Sequence, residues 1–320
     1  MALHRRTDLQ VPPEPVLVVV LEGWIDAGLA ASTAWATLSE QIRPELVATF
    51  DADQLIDFRA RRPRLLLRDG ENAGLTWLQP EIRSGVDREG SGVLFLVGPE
   101  PDFRWQAFAA EVAALAVELG VRMMVGLGGF PAAVPHTRPI RLASTASSSE
   151  LAREVGFING TLEVPAGIEA VIERSCAAAG IPSLGLWARV PHYVSAMMFP
   201  AASLALLDAL DKIAGIKIDT SSLREAADEG RSKVDDLIGQ SAEHVLLVRT
   251  LEQSIDEAEG TSLGSLDASG GRLPSGDELA TELERYLRDD GGTFGAGGGP
   301  GGGPRGGPGG PGGPRLPPGS

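Results

Sequence analysis

The residues best suited to chemistry in this chain are Glu22, Asp26, Glu100, Asp102, His136, Arg138, His192 and Tyr193, with Gly128 and Gly129 beside them. Each stands within or just beyond a short apolar run. Histidine transfers protons near neutral pH, and arginine grips a carboxylate or phosphate through a two-pronged fork. Close carboxylates can share a proton or bind a cation. If their loops converge, these groups form a pocket for a small polar or anionic ligand. A structural reading competes with that one. His136 would then bond loop backbone, and Arg138 would pair with an acidic neighbour such as Glu100. The four carboxylates would cap helices or meet arginines, and His192 and Tyr193 carry the same two readings.

Several familiar chemistries are excluded. GLGGFP (residues 126–131) lacks the last glycine of the dinucleotide fingerprint, and Pro131 and Pro135 forbid the helix that must follow. Its glycines suit a tight turn or a close backbone approach instead. No G-x-S-x-G elbow or Walker loop is present. The spacing fixes no carboxylate as a ligand, and no Cys/His cluster has zinc spacing. No metal and no cofactor are expected, and no catalytic residue is assigned.

The positions of these residues depend on the elements that carry them. VLFLV (93–97) and the run after Arg122 are apolar segments bounded by glycine, which reads as strands buried on both faces. A helix over about 105–119 joins them into a βαβ unit, and ligands on open α/β sheets gather at the carboxyl ends of strands. Residues 16–21 read as another strand, followed by a turn at Glu22–Gly23 and a helix that Asp26 would cap. Residues 46–58 give a short strand and acidic loop, and 58–82 a β-hairpin turning at 70–74. After Pro139 come a short strand, two helical pieces, a strand within 181–194, and an apolar helix over 201–216 with Asp208 and Lys212 paired at i, i+4. VPH occurs twice, at 134–136 and 190–192, as a partial internal repeat. The expected organisation is a loose arm (1–15), an α/β core (16–218), a charged helical extension (219–290) linked near 264–274, and a disordered Gly/Pro tail (291–320).

Composition narrows the partners. With 28 basic and 43 acidic residues the formal charge is −15, which disfavours nucleic acid and anionic membrane. Cys176 is the single cysteine, so no internal disulfide exists and a reducing cytosol fits. The first residues lack an apolar signal-peptide core, and no uncharged run spans a membrane, so a cytoplasmic protein is expected. Arg59, Arg61, Arg62 and Arg64 form a basic patch in this acidic chain, suited to binding an anion or to pairing with the acidic surface of a second subunit. Beside them, Trp77 and Leu78 suggest an interface between subunits, with one subunit's arginines meeting another's carboxylates and Pro63 holding an extended edge.

The motifs LEGWIDAG (21–28), FRARRP (58–63), GPEPDFRW (98–105), GGFPAAVPHTRP (128–139), VPHYV (190–194) and LVRTLE (247–252) occur in this order. Over roughly 15–260 the chain resembles the proteasome assembly chaperone 2 family in its actinobacterial branch. The resemblance implies a three-layer α/β/α core similar to purine nucleoside phosphorylases, with added helices. The eukaryotic namesake helps assemble the proteasome core particle. The family has also been labelled ATP-grasp-like, yet no glycine-rich phosphate loop occurs here. Two functions follow. One is a non-catalytic assembly or interaction factor, a homo-oligomer (a trimer is one option) that also binds a partner such as a proteasome component. The other is a small-ligand binder or enzyme of phosphorylase or hydrolase type.

Overall fold

The run VLVVVLE forms strand β2 (Val16–Glu22), and its alternation explains the layering of the molecule. Successive side chains of a strand point to opposite faces. Val16, Val18 and Val20 enter one core, while Leu17 and Val19 enter another. A sheet apolar on both faces needs helices on both. A computed structural model of the chain describes residues 3–23 and 25–262, with side chains to residue 257.

The remaining strands are β1 (His4–Arg6), β3 (Glu45–Phe50), β4 (Arg64–Arg68), β5 (Glu71–Thr76), β6 (Glu81–Val86), β7 (Gly92–Pro99), β8 (Met123–Ala132), β9 (Leu142–Ala146) and β10 (Ser183–Pro191). The helices are α1 (Ala30–Ile42), α2 (Ala52–Leu55), α3 (Trp105–Glu118), α4 (Ser149–Val155), α5 (Ile168–Ala178), α6 (Pro200–Ala214), α7 (Ser221–Gly239) and α8 (Ala242–Ser262). Eight strands form one mixed sheet in the order β1-β3-β6-β7-β2-β8-β10-β9. β7, β2, β8 and β10 run parallel, so their carboxyl ends share one edge. On one face, Ala30, Ala34 and Leu38 of α1 pack with Leu206 and Leu210 of α6 and with Leu223 and Val234 of α7. Phe108 and Val112 of α3 cover the other face together with Ile172 and Cys176 of α5. The expected α/β/α core with a helical addition is the fold observed.

Several local expectations need correction. The first residues are no loose arm: β1 pairs antiparallel with β3, and Leu3 is buried. The expected β7–α3–β8 crossover is present, but with β2 standing between its two strands. The hairpin region holds more than a hairpin. β4 and β5 form a separate two-stranded ribbon turning at Asp69–Gly70, while β6 joins the main sheet. Asp69 and Gly70 both have positive φ, 51° and 88°, which gives the twist two-residue hairpin turns favour. Asp208 meets Arg224 of α7 at 3.5 Å rather than Lys212. Helical structure continues through α7 and α8. The link at 264–274, the charged segment beyond it and the Gly/Pro tail lie outside the described residues.

Candidate functional site

Loops carrying the candidate residues all leave the carboxyl edge of the parallel strands, but their side chains divide into two groups. The first surrounds the ends of β2 and β7. Glu22 is exposed, and its carbonyl accepts the Glu100 N–H at 2.7 Å. Glu100 is buried, and its Oε1 accepts the Ile168 N–H at 2.8 Å, capping the first turn of α5. Asp102 Oδ2 accepts the Asp57 N–H at 2.7 Å, and its Oδ1 lies 3.4 Å from Arg61. Arg61 also donates to the Glu100 carbonyl. Asp26 accepts from the N–H groups of Ala31 and Ser32 at 2.7 and 3.0 Å and so caps α1 from across a 3-10 turn (Ala27–Leu29), the N-cap position itself being Leu29. The carboxylates of Glu100, Asp102 and Asp26 thus hold chain together, while Glu22 takes part through its carbonyl.

The second group lies past β8 and β10. His136 is almost fully buried. Its N–H donates to the Tyr193 Oη at 2.8 Å, Nδ1 lies 2.7 Å from the same oxygen, and Nε2 lies 2.9 Å from Asp235 of α7. In the tautomer with its proton on Nε2, all three contacts are satisfied: Nε2–H donates to Asp235, and the Tyr193 hydroxyl donates to Nδ1. Burial raises the Tyr193 hydroxyl to about 12, and the Glu252 and Asp235 carboxylates push the same way. Arg138 binds both Asp256 oxygens at 3.1 and 2.8 Å and Glu252 at 3.3 Å. Asp256 is thereby held below the ordinary aspartate range by its hydrogen bond to Arg138. Arg138 thus pairs with α8, not with Glu100. His192 is exposed and edge-on to Tyr193, ring centres 5.3 Å apart.

Gly128 and Gly129 permit close packing. A Cβ on Gly128 would come within 2.3 Å of the Trp187 ring, and one on Gly129 within 2.9 Å of the Ala27 carbonyl. An isolated bridge from Asp26 to Gly129 ties the two groups along the edge. The two VPH segments are not equivalent in register, since Val190 stands opposite Pro131 rather than Val134. Among the described residues, no group of three or more His, Cys, Asp or Glu could hold a metal ion. Burial pushes the Cys176 thiol up to about 12, so it is a poor nucleophile.

Residues 20–238 match the model of the PAC2 family. The chain belongs to this family. A protein of unknown function from Mycobacterium tuberculosis is 34% identical, with a TM-score of 0.73 over 80% of this chain and 92% of that one. A proteasome-assembly chaperone homologue from the same organism is 32% identical, with a TM-score of 0.68 over 73% of this chain and 99% of that one. A PAC2 family protein from Streptomyces avermitilis is 36% identical, with a TM-score of 0.65 over the same shares, 73% and 99%. No match was found among curated proteins. Among the described residues, no helix of this PAC2 family chain is long and apolar enough to cross a membrane.

Sequence reasoning missed Asp235, Glu252 and Asp256, which reach the β8 loop from helices 99 to 118 positions away. Amphipathic periodicity marks them as outer-face charges and carries no sign of their partners. It also missed Arg141 and Arg189, which line a cavity of about 200 Å³ with Arg138. Arg189 had a readable signal: it is a lone charge inside the apolar run LGLWARVP.

Proposed function

We propose that this chain is a non-catalytic assembly or protein-interaction factor that works through its β4–β5 ribbon. Every residue of β4 is exposed, with Leu65, Leu66 and Leu67 at 49, 54 and 61%. Leu75, opposite Leu65, and Trp77 just past β5 are also exposed, and Trp77 packs edge-on against Phe58. A lone two-stranded ribbon is marginally stable in water, and apolar side chains exposed on both its faces favour a covering partner. Arg59, Arg62 and Arg64 are exposed in or beside the ribbon, suited to the carboxylates of this acidic chain or of a partner. A homo-oligomer, with a trimer as one option, is the first partnership, and a proteasome component the second. The latter draws on the mycobacterial relative described as a proteasome-assembly chaperone homologue. The engagement of Glu100, Asp102, His136 and Arg138 in holding loops and helices supports a non-catalytic role. The buried thiol and lack of disulfide suit a cytoplasmic setting.

Light scattering tests the reading. The wild-type chain should give a mass well above the 33.4 kDa of one copy, and Leu66→Glu with Trp77→Glu should return it towards that mass. A wild-type monomer at micromolar concentration that also fails to bind purified proteasome subunits would sink the proposal.

A further inference from the structure

The β4–β5 ribbon is paired only with itself. Neither strand has a second strand neighbour among the described residues. Both outer edges therefore present main-chain N–H and C=O groups, a template for another strand. The two edges differ in charge. β4 (RLLLR) carries Arg64 and Arg68 and no acid, whereas β5 (ENAGLT) carries Glu71 and no base, and all three are exposed. The two faces differ as well. Leu65 and Leu67 alternate onto one face, and Leu75 joins them because it stands opposite Leu65. All three leucines are exposed.

Three strands with an apolar face are about the least that holds together unaided, so the ribbon is one strand short. The charges select the strand that completes it. Joining two β4 edges antiparallel about Leu66 would set Arg64 opposite Arg68 of the second copy, which is unfavourable across strands. Joining two β5 edges brings no opposite charges together. A β4 edge against a β5 edge repeats between copies the opposition of Arg68 and Glu71 that exists within one ribbon. The strands also match in length, five residues against six. We propose that the β4 edge of one copy pairs with the β5 edge of the next, so that ribbons add head to tail into one sheet. Leu65, Leu67 and Leu75 of every copy then form one continuous apolar face. Such contacts are heterologous and end only when the copies close into a ring. The proposal rests on the assembly reading above, and makes a second copy of this chain the occupant of the ribbon.

Cross-linking of single cysteines tests the order of the edges. Cys176 is buried, so a cysteine introduced on the ribbon is the only exposed thiol. Leu66→Cys marks the middle of β4. Ala73→Cys marks β5 at its bulge, where no cross-strand pair is disturbed. The two full-length variants are prepared singly and co-expressed. Each sample is treated with a one-carbon bis-methanethiosulfonate, which spans the ~4.8 Å to a neighbouring strand but not the strand beyond it. The expected result is a linked pair at twice 33.4 kDa from the co-expressed chains, with none from either variant alone. Linking within Leu66→Cys alone, or within Ala73→Cys alone, would join like edges and overturn the proposal. No linking in any sample, while light scattering still gives a mass above one copy, overturns the head-to-tail order and leaves the assembly reading standing. A monomer that binds purified proteasome subunits does the same, and a monomer that binds none removes both.

Discussion

The two ends of the sheet's carboxyl edge contain similar side chains and use them differently. At β2 and β7, Glu100 and Asp102 point inward and accept N–H groups from Ile168 and Asp57. That region closes on itself within the α/β core. At β8 and β10, His136 and Arg138 point outward to helices that follow the core in sequence, and capture Asp235, Glu252 and Asp256. Carboxylates bonded to backbone fix loops, whereas a histidine and an arginine reaching exposed helices fasten one layer onto another. The second region also retains an arginine-lined cavity. Residue type alone therefore does not separate scaffold from binding surface; the location of each partner does.

The sharpest way to break the first region is through its backbone. Gly98 has φ 109°, and a Cβ there would lie 2.5 Å from the Gln79 carbonyl oxygen. Gly98→Ala combines backbone strain with an overlap that no side-chain rotation relieves, at about 3–5 kcal/mol. Thermal unfolding should move down by roughly 10 °C. An unchanged midpoint would mean that this loop yields easily and is no rigid scaffold.

The second region should break next most severely at His136. His136→Ala opens a buried space, strands the part-buried Tyr193 hydroxyl and releases α7 from its contact at Asp235, costing about 2–3 kcal/mol. Unlike the first change, it should loosen α7 more than the sheet. Hydrogen exchange that rises uniformly over β2, β7 and α7 would erase the distinction between the two regions.

The parallel strands and the shared edge were legible because apolar runs ended by glycine leave few alternatives. β2, β8 and β10 could be read from such runs. Strand neighbours could not: that β2 sits between β7 and β8 depends on long-range pairing with no local signal. β6 was hidden because Arg83, Ser84 and Gly85 dilute its apolar character, although Ile82 is fully buried. Position at the edge was readable for His136 and Arg138, while their partners lay far along charged helices. Glu169 is a further case. Its place at the start of α5 reads as an ordinary solvated first-turn acid, yet it covers glycines in two strands.

Glu169 joins the two regions, because α5 begins under Glu100 and lies over β8 and β10. A Cβ on Gly126 would fall 2.0 Å from its Oε1. The residue is only partly buried, but that oxygen is buried and has no hydrogen-bond partner among the described residues. Burial raises the carboxyl from 4.5 to about 8, and the neighbouring Glu173 adds to the rise. Glu173 is itself raised by burial, against the opposing pull of Thr145. Below pH 4.5 the folded and unfolded chains both keep the proton, and Glu169 imposes no penalty. As pH rises from 4.5 towards 8, only the unfolded chain releases it, so folding stability falls. Glu169→Gln removes that dependence. The full shift corresponds to roughly 4–5 kcal/mol near pH 8. Because the residue is only partly buried, the variant's advantage over wild type should grow across this window to the order of 1–2 kcal/mol. A difference that stays flat with pH would place a partner on that oxygen.

The smallest global effect and the most local one belong to Arg138. Its ion pairs with Asp256 and Glu252 sit at the surface, where such pairs contribute little to overall stability. Arg138→Ala should therefore leave the main unfolding midpoint within about 1 °C of wild type. Attachment of α8 is another matter. Thr137 and Arg138 both bind Glu252, and Arg138 alone holds both Asp256 oxygens. Losing the guanidinium removes the fork that fixes this end of α8 against the β8 loop, so amide exchange in α8 should speed up while β8 remains protected. Arg138→Lys should rescue only partly, because an ammonium cannot reproduce two parallel bonds to one carboxylate. Full rescue by lysine would reduce the contact to simple charge attraction. Unchanged exchange in both variants would show that α8 is held by its packing on α7, and that the second region fastens only α7 to the core.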